Sequence, residues 1–196
     1  MKYQDIFNTS VEGVSKAVDD LRGQGFVGQC VAELGSDGIQ IDLDEENDLS
    51  SITDGAGLYC FWIDLSGWHK NTNQPWEELL GLFSDEWLKP AENIKYFPKS
   101  NKGNIEKTLK DSARSGWIPL YIGKSEKVID RVKQHVELSP EKKTYALKLN
   151  ARAKQLEGAK INITSLPLDV NKDNYFLVGL VEYLIRQKML PIVGKQ

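Results

Sequence analysis

Apolar positions change period several times along the chain, and the changes divide it into elements. Between residues 10 and 22, Val11, Val14, Ala17, Val18 and Leu21 recur at spacings of three and four behind Ser10, a good N-cap, which predicts an amphipathic helix. Gly23, Gly25 and Gly28 then break the pattern, and FVGQCVAEL (26–34) and GIQIDLDEE (38–46) read as short strands around a turn at 35–38. An acidic loop leads to GAGLYCFWIDL (55–65), an apolar, aromatic run of strand length that belongs in a core. From 66 to 116 the chain is polar and punctuated by tryptophans, with one predicted helix at 75–88 whose Trp76, Leu79, Leu80, Phe83 and Trp87 share a face. WIPLYIG (117–123) is a predicted strand. A helix over 126–138 carries Val128, Val132 and Val136 inward, and a second helical stretch is expected over 141–157, ended by Gly158. AKINITSLPL (159–168) alternates like a half-buried strand, and a last helix runs over about 174–190, stopped by Pro191.

This order predicts an α/β chain with one main domain at 55–196. An acidic N-terminal region, 1–54, precedes it, and 66–116 reads as an insertion within it. With 196 residues, 40% hydrophobic and 27% charged, the chain can bury a core without staples, and disordered or fibrous classes are excluded. No run approaches the roughly 20 apolar residues of a membrane span, and MKYQDIFNTS does not read as a secretory leader, so no membrane partner and a cytoplasmic location are expected. Cys30 and Cys60 fit no metal spacing and are expected to be buried free thiols.

Charge alters this picture. Residues 1–100 carry 18 acids against 7 bases, and residues 101–196 carry 10 against 18, so a formal net charge of −3 conceals halves of −11 and +8. A concentration of Lys and Arg is what a phosphate-binding surface requires, because phosphate neutralisation supplies most non-specific nucleic-acid affinity. Solvated helix faces are the plainer alternative.

Five polar residues sit oddly in apolar surroundings: Tyr59, Tyr121, Arg131, His135 and Glu182. Glu182 lies among Val178, Gly179, Ile185 and Arg186 on its helix, and a carboxylate there needs a partner, either Arg186 in an i,i+4 pair or a bound cation. Arg131 and His135, four apart, project from one helical face, a spacing suited to gripping a phosphate.

Taken together, GLY at 57–59, YIGKS at 121–125, R-x-x-x-H at 131–135 and E-x-L-I followed by LP, over 182–191, resemble the GIY-YIG endonuclease family, specifically its restriction-enzyme-like branch. The resemblance implies a small three-stranded antiparallel sheet flanked by helices, cutting DNA phosphodiesters with one divalent metal, Mg2+ or Mn2+. It implies that Tyr59 and Tyr121 contact the attacking water and scissile phosphate, that Arg131 meets the phosphate charge with help from Lys124, that His135 supports the catalytic tyrosine, and that Glu182 holds the metal. DNA specificity would come from the insertion, the N-terminal region or a homodimer. Two features depart from the family pattern. The two tripeptides are separated by an insertion where a short hairpin is usual, and Gly194 stands where an asparagine usually follows the terminal proline. The glycine favours the alternative of a catalytically impaired relative that binds nucleic acid or a protein partner.

Overall fold

One antiparallel sheet organises the molecule. Its strands are β1 (Ile39–Ile41), β2 (Gly57–Asp64), β3 (Trp117–Ser125) and β4 (Lys160–Pro167), in the spatial order β1-β4-β2-β3. The computed structural model describes residues 3–23, 25–35, 37–68, 75–89, 94–110 and 116–194. Among these, six α-helices surround the sheet: α1 (Tyr3–Gly23), α2 (Phe26–Leu34), α3 (Trp76–Leu88), α4 (Lys102–Lys110), α5 (Val128–Glu137) and α6 (Tyr175–Met189). No helix among the described residues is long and apolar enough to cross a membrane.

The expected mixed α/β architecture is present, with four strands in place of three. The added strand is β1, which pairs Ile39 with Ile163 and Ile41 with Ile161 at the β4 edge. Central β2 is apolar up to its last residue, Asp64, because both its faces are covered. Tyr59, Phe61 and Ile63 point into a core shared with α3 and α5, whereas Leu58 and Cys60 point into a second core formed with α2 and α6. Cys30 and Cys60 are buried and unpaired, as expected. The two faces divide the labour, and the α5 face holds the predicted chemistry.

Three expectations are corrected. FVGQCVAEL is helix α2, not a strand. Its Cys30 and Leu34, four apart, are both buried, and a nine-residue apolar run satisfies either period until its packing is known. The 141–157 stretch is irregular apart from a 3-10 turn at Asn150–Arg152. Its helix-forming residues are overridden by tertiary bonds: Leu147 N–H donates to His135 Nδ1 and Leu149 N–H to the His135 carbonyl, and Lys148 adopts φ 56° between them. Helix α4 was not expected, although Asn101 Oδ1 caps it by accepting from Asn104 N–H at 3.1 Å.

The described parts of 66–116 pack as core. Leu80, Phe83, Trp87, Ile94, Phe97 and Ile105 join the sheet residues of the α5 face. Positions 69–74, 90–93 and 111–115 of that predicted insertion lie outside the described residues. Residues of the acidic N-terminal region are likewise built in, since Leu34 carbonyl accepts from Thr164 and Trp62, and Ile41, Leu49 and Ile52 are buried.

Candidate active site

Regular pairing of β2 with β3 puts the two signature tyrosines on the same face: Tyr59 pairs with Gly123 and Phe61 with Tyr121, and residues two apart on a strand share a face. Phe61 pairs with Tyr121 but Trp62 pairs with Pro119, so Leu120 is an extra residue. Side chains alternate along a strand, and one inserted residue reverses the alternation. Ile118, three residues from Tyr121, therefore shares its α5-side face, opposite Ile63. Pro119 is tolerated because β3 is an edge strand. The bulge also serves as a dock for the C-terminal segment. Ile192 N–H donates to the Pro119 carbonyl at 3.0 Å and Val193 N–H to the Leu120 carbonyl at 2.9 Å, which brings Gly194 against Tyr121.

Tyr59 lies behind Tyr121 in a site the sequence makes specific. It pairs with Gly123, and a Cβ built at residue 123 would collide with the Tyr59 hydroxyl and stand 2.6 Å from its Cζ. The glycine of YIG is thus the floor on which the tyrosine of GLY rests. Tyr59 Oη is 2.9 Å from His135 Nε2, and both residues are essentially inaccessible to solvent. The tautomer follows from the other ring nitrogen. Nδ1 accepts from Leu147 N–H at 3.0 Å, and burial, with Arg131 nearby, holds His135 well below its usual pKa of 6.5, so the ring is neutral. Its one proton is on Nε2 and is donated to Tyr59. That leaves the Tyr59 hydroxyl hydrogen free to donate onward, and a hydrogen bond with Tyr59 acts to favour ionisation of Tyr121. A hydrogen-bonded chain runs from Leu147 through His135 to Tyr59, and the Tyr121 ring lies beside it, its centroid 6.2 Å from that of Tyr59.

Tyr121 faces a cavity of about 490 Å³ whose lining it shares with Phe97, Pro98, Lys99, Arg131, Tyr145, Glu182, Arg186 and Gly194. Of the predicted residues, Tyr121, Arg131 and Glu182 face it, while Tyr59 and His135 form the layer beneath. Lys124 stands outside the lining. Its ammonium sits 4.4 Å above the Tyr175 ring and against Gly179, close enough to lower the Glu182 pKa. Arg131 donates to Gln134 Oε1 at 2.7 Å and to the Tyr145 carbonyl at 2.8 Å.

Glu182 and Arg186 form the pair that their spacing suggests, but loosely. The Nη1 to Oε1 distance is 3.6 Å, beyond the roughly 2.7–2.9 Å of a charge-assisted hydrogen bond. Arg186 Nη1 instead donates to the Ile122 carbonyl at 2.9 Å. Gly194, at φ 111°, makes room for this guanidinium: a Cβ there would stand 3.0 Å from Arg186 Nη2 and 3.2 Å from Tyr121.

Burial raises the pKa of Glu182, and Arg186 and then Lys124 oppose that rise. Burial likewise raises both tyrosines. For Tyr121 the opposition comes from Arg131 and Arg186, and for Tyr59, held well above 10, from Arg131. Among the described residues no group of three or more His, Cys, Asp or Glu side chains gathers around a point that could hold a metal. Mg2+ commonly takes one or two carboxylates with several waters and substrate phosphates. A single carboxylate facing a cavity of this size fits a metal shared with a phosphate and does not fit an all-protein cage.

No family model, curated protein or solved structure matches this chain. Sequence reasoning missed Phe97, Lys99 and Tyr145 as parts of the site. KYFPK (95–99), two aromatics enclosed by lysines in a polar stretch, was the available signal for the first two. Tyr145 carried none, because its segment reads as helix.

Proposed function

We propose that this chain is a divalent-metal-dependent DNA endonuclease of GIY-YIG type. The observation that carries this reading is the convergence of Tyr121, Arg131 and Glu182 on one cavity, with Tyr59 and His135 hydrogen-bonded beneath them. Phosphodiester hydrolysis requires an oriented water, neutralisation of the phosphoryl oxygens and relief of charge on the leaving alkoxide. Three cations, Lys99, Arg131 and Arg186, share the lining with one carboxylate, which suits a phosphate. Arg131 presents a guanidinium fork already held by Gln134 and the Tyr145 carbonyl, so little rotamer freedom is lost on binding.

The two tyrosines take different parts. Tyr121 reaches the cavity and meets the attacking water. Tyr59 is a positioning residue, holding Tyr121 through its hydroxyl and held in turn by His135. Both phenols are pushed above 10, so neither is a standing phenolate at neutral pH. Tyr121 therefore orients the water through its oxygen and passes a proton only as the reaction proceeds. Glu182 would hold the Mg2+ or Mn2+, which when bound supplies Lewis-acid polarisation of the phosphate and acidifies a water.

A second reading has its own observation. The Glu182–Arg186 contact, together with Gly194, favours a catalytically impaired module that binds nucleic acid without cutting it. The contact's length and the competing bond to Ile122 weigh against a locked pair. A plasmid-nicking assay with Mg2+, wild type beside Glu182→Ala, separates the two. Nicking that disappears in the variant supports the nuclease, binding without nicking supports the impaired module, and nicking unchanged by the substitution refutes the site.

A further inference from the structure

The hydrolytic roles leave part of the cavity unused. Tyr145 lines it yet is 61% exposed, while its neighbours Ala146 and Leu147 are fully buried. An exposed tyrosine is ordinary surface in most settings. Three observations set this one apart.

Its position is fixed by the site itself. Arg131 Nη2 donates to the Tyr145 carbonyl at 2.8 Å, Leu147 N–H donates to His135 Nδ1 at 3.0 Å, and Lys148 Nζ closes the loop on the carbonyls of Pro140 and Lys142 at 2.8 Å each. The two residues of the R-x-x-x-H motif thus hold the segment that presents the ring. Tyr96 supports the ring from one side, edge to face, with centroids 6.0 Å apart at 79°. A rigid aromatic surface loses little entropy when a flat ligand covers it.

Cations share its part of the cavity. Arg131 is bonded to the Tyr145 backbone, and Lys99, whose ammonium lies 5.5 Å from the Phe97 ring centre, shares the lining. Aromatic rings interleaved with cations are how proteins hold unpaired strands, the cations on the backbone and the rings beneath the bases.

The volume sets the third condition. At about 490 Å³ the cavity falls in the range of roughly 300–1,000 Å³ that encloses a small organic ligand. It has room for a nucleotide and not for a stacked base pair. A base that enters the cavity beside Tyr145 leaves the helical stack.

We propose that Tyr145 is a base-stacking platform: the DNA nucleotide whose phosphate meets Arg131 lies in the cavity with its base out of the stack and against the Tyr145 ring. The proposal rests on the nucleic-acid reading of the site, that the ligand is a DNA strand, and is independent of whether the strand is cut. It makes the protein favour positions where unstacking costs little, namely single strands and mispairs, with little preference among bases, since every base offers a flat face.

The test uses the full chain without added divalent metal, so that no strand is cut. Fluorescence anisotropy is read on one labelled DNA sequence as a single strand, as a perfect duplex and as a duplex with one mispair. Wild type binds the single strand and the mispaired duplex several-fold more tightly than the perfect duplex. Tyr145→Ala loses about tenfold on the first two and under about twofold on the perfect duplex, while Tyr145→Phe, which keeps the ring, stays within about twofold of wild type on all three. Lys99→Ala weakens all three alike, as a phosphate contact does. Equal loss on all three forms in Tyr145→Ala, no loss on any, or no preference in wild type overturns the proposal. Discrimination of this kind without nicking in Mg2+ leaves stacking in place and removes the nuclease reading. Nicking with binding indifferent to Tyr145→Ala does the reverse.

Discussion

Arg152 and Arg186 occupy two regions alike in composition and opposite in how their charge is used. Arg152 is wholly buried, its guanidinium 4.0 Å from the Trp87 ring centre and 4.7 Å from that of Phe97. It donates to the carbonyls of Leu147 and Trp87 and to Gln155 Oε1, and Gln155 donates to the carbonyls of Glu86 and Lys89. Burial lowers its pKa to about 10, which leaves it charged at neutral pH. This arginine is a clamp that fastens α3 and the 94–99 segment to the loop after α5. Arg186 has one carbonyl bond, a loose carboxylate at 3.6 Å and a cavity beside it. A cation buried under stacked rings, with its Nε and Nη1 donors on backbone and amide carbonyls, holds a structure together. One that shares a cavity with a carboxylate can answer a ligand. Phe97 belongs to both regions, so the clamp sets one wall of the site.

The comparison is broken most decisively at the carboxylate. On the proposed nuclease reading, Glu182→Ala should lower Mg2+-dependent nicking by about a thousandfold or more, since Glu182 would be the ligand of the ion and its loss would forfeit several kcal/mol of transition-state stabilisation. Its thermal midpoint should stay near that of wild type, because a partly exposed carboxylate that burial already penalises contributes little to folding. Nicking at the wild-type rate would show that Glu182 has no part in the chemistry. Arg152→Ala should act in the opposite sense, on stability. It removes a stacked guanidinium and leaves the Leu147 and Trp87 carbonyls short of a donor, a loss of about 3 kcal/mol or more. Urea unfolding measures it, and a midpoint shift of only a few tenths of a kcal/mol would show that the clamp is idle.

The same contrast explains what could be read in the sequence. Tyr59, Tyr121, Arg131, His135 and Glu182 stand out because each is a polar group on an otherwise apolar strand or helix face, and local periodicity exposes such a mismatch. That Tyr121 shares a face with Tyr59 follows from the register that sets Gly123 opposite Tyr59, while the Leu120 bulge, which alternation alone would have missed, turns Ile118 to that face as well. Phe97, Lys99 and Tyr145 reach the cavity from segments whose position is decided by Arg152, Trp87 and His135, through contacts between residues far apart in the chain. Strand β1 pairs with a β4 more than a hundred residues further along the chain, and α2 differs from a strand only by what it packs against. Local pattern carried the chemistry. Long-range packing carried its walls.

His135 gives a smaller effect, with a defined sign. Its folded pKa lies well below the 6.5 of the unfolded chain, because burial first and Arg131 second oppose its charge. The unfolded state therefore binds the extra proton below pH 6.5 while the native state does not, so stability falls as pH drops below that value, at up to about 1.4 kcal/mol per pH unit. Urea midpoints measured from pH 7.5 down to pH 5.5, a span of about two units about the unfolded value, should show this slope in wild type and a flatter one in His135→Phe. That variant also strands Leu147 N–H and lowers stability throughout, so the slope and not the level is diagnostic.

Arg186 provides the smallest and sharpest test of whether its charge is available to the site. Burial raises the Glu182 pKa and Arg186 is the first of the groups that oppose it, with Lys124 second. Replacing Arg186 by Gln should move the Glu182 pKa further up, and Lys124→Gln should move it up by less. An ionised carboxylate is what a divalent cation requires, so the acid limb of Mn2+ binding, followed by water-proton relaxation, should shift to higher pH in the order wild type, Lys124→Gln, Arg186→Gln. Binding on the plateau distinguishes the two readings of the pair. If Arg186 is only a nearby charge, all three proteins bind the metal alike once the carboxylate is ionised. If the pair is locked and excludes the cation, wild type binds none and Arg186→Gln acquires binding. A limb that does not move in Arg186→Gln would place Arg186 with Arg152, as a second structural cation whose field the carboxylate does not feel.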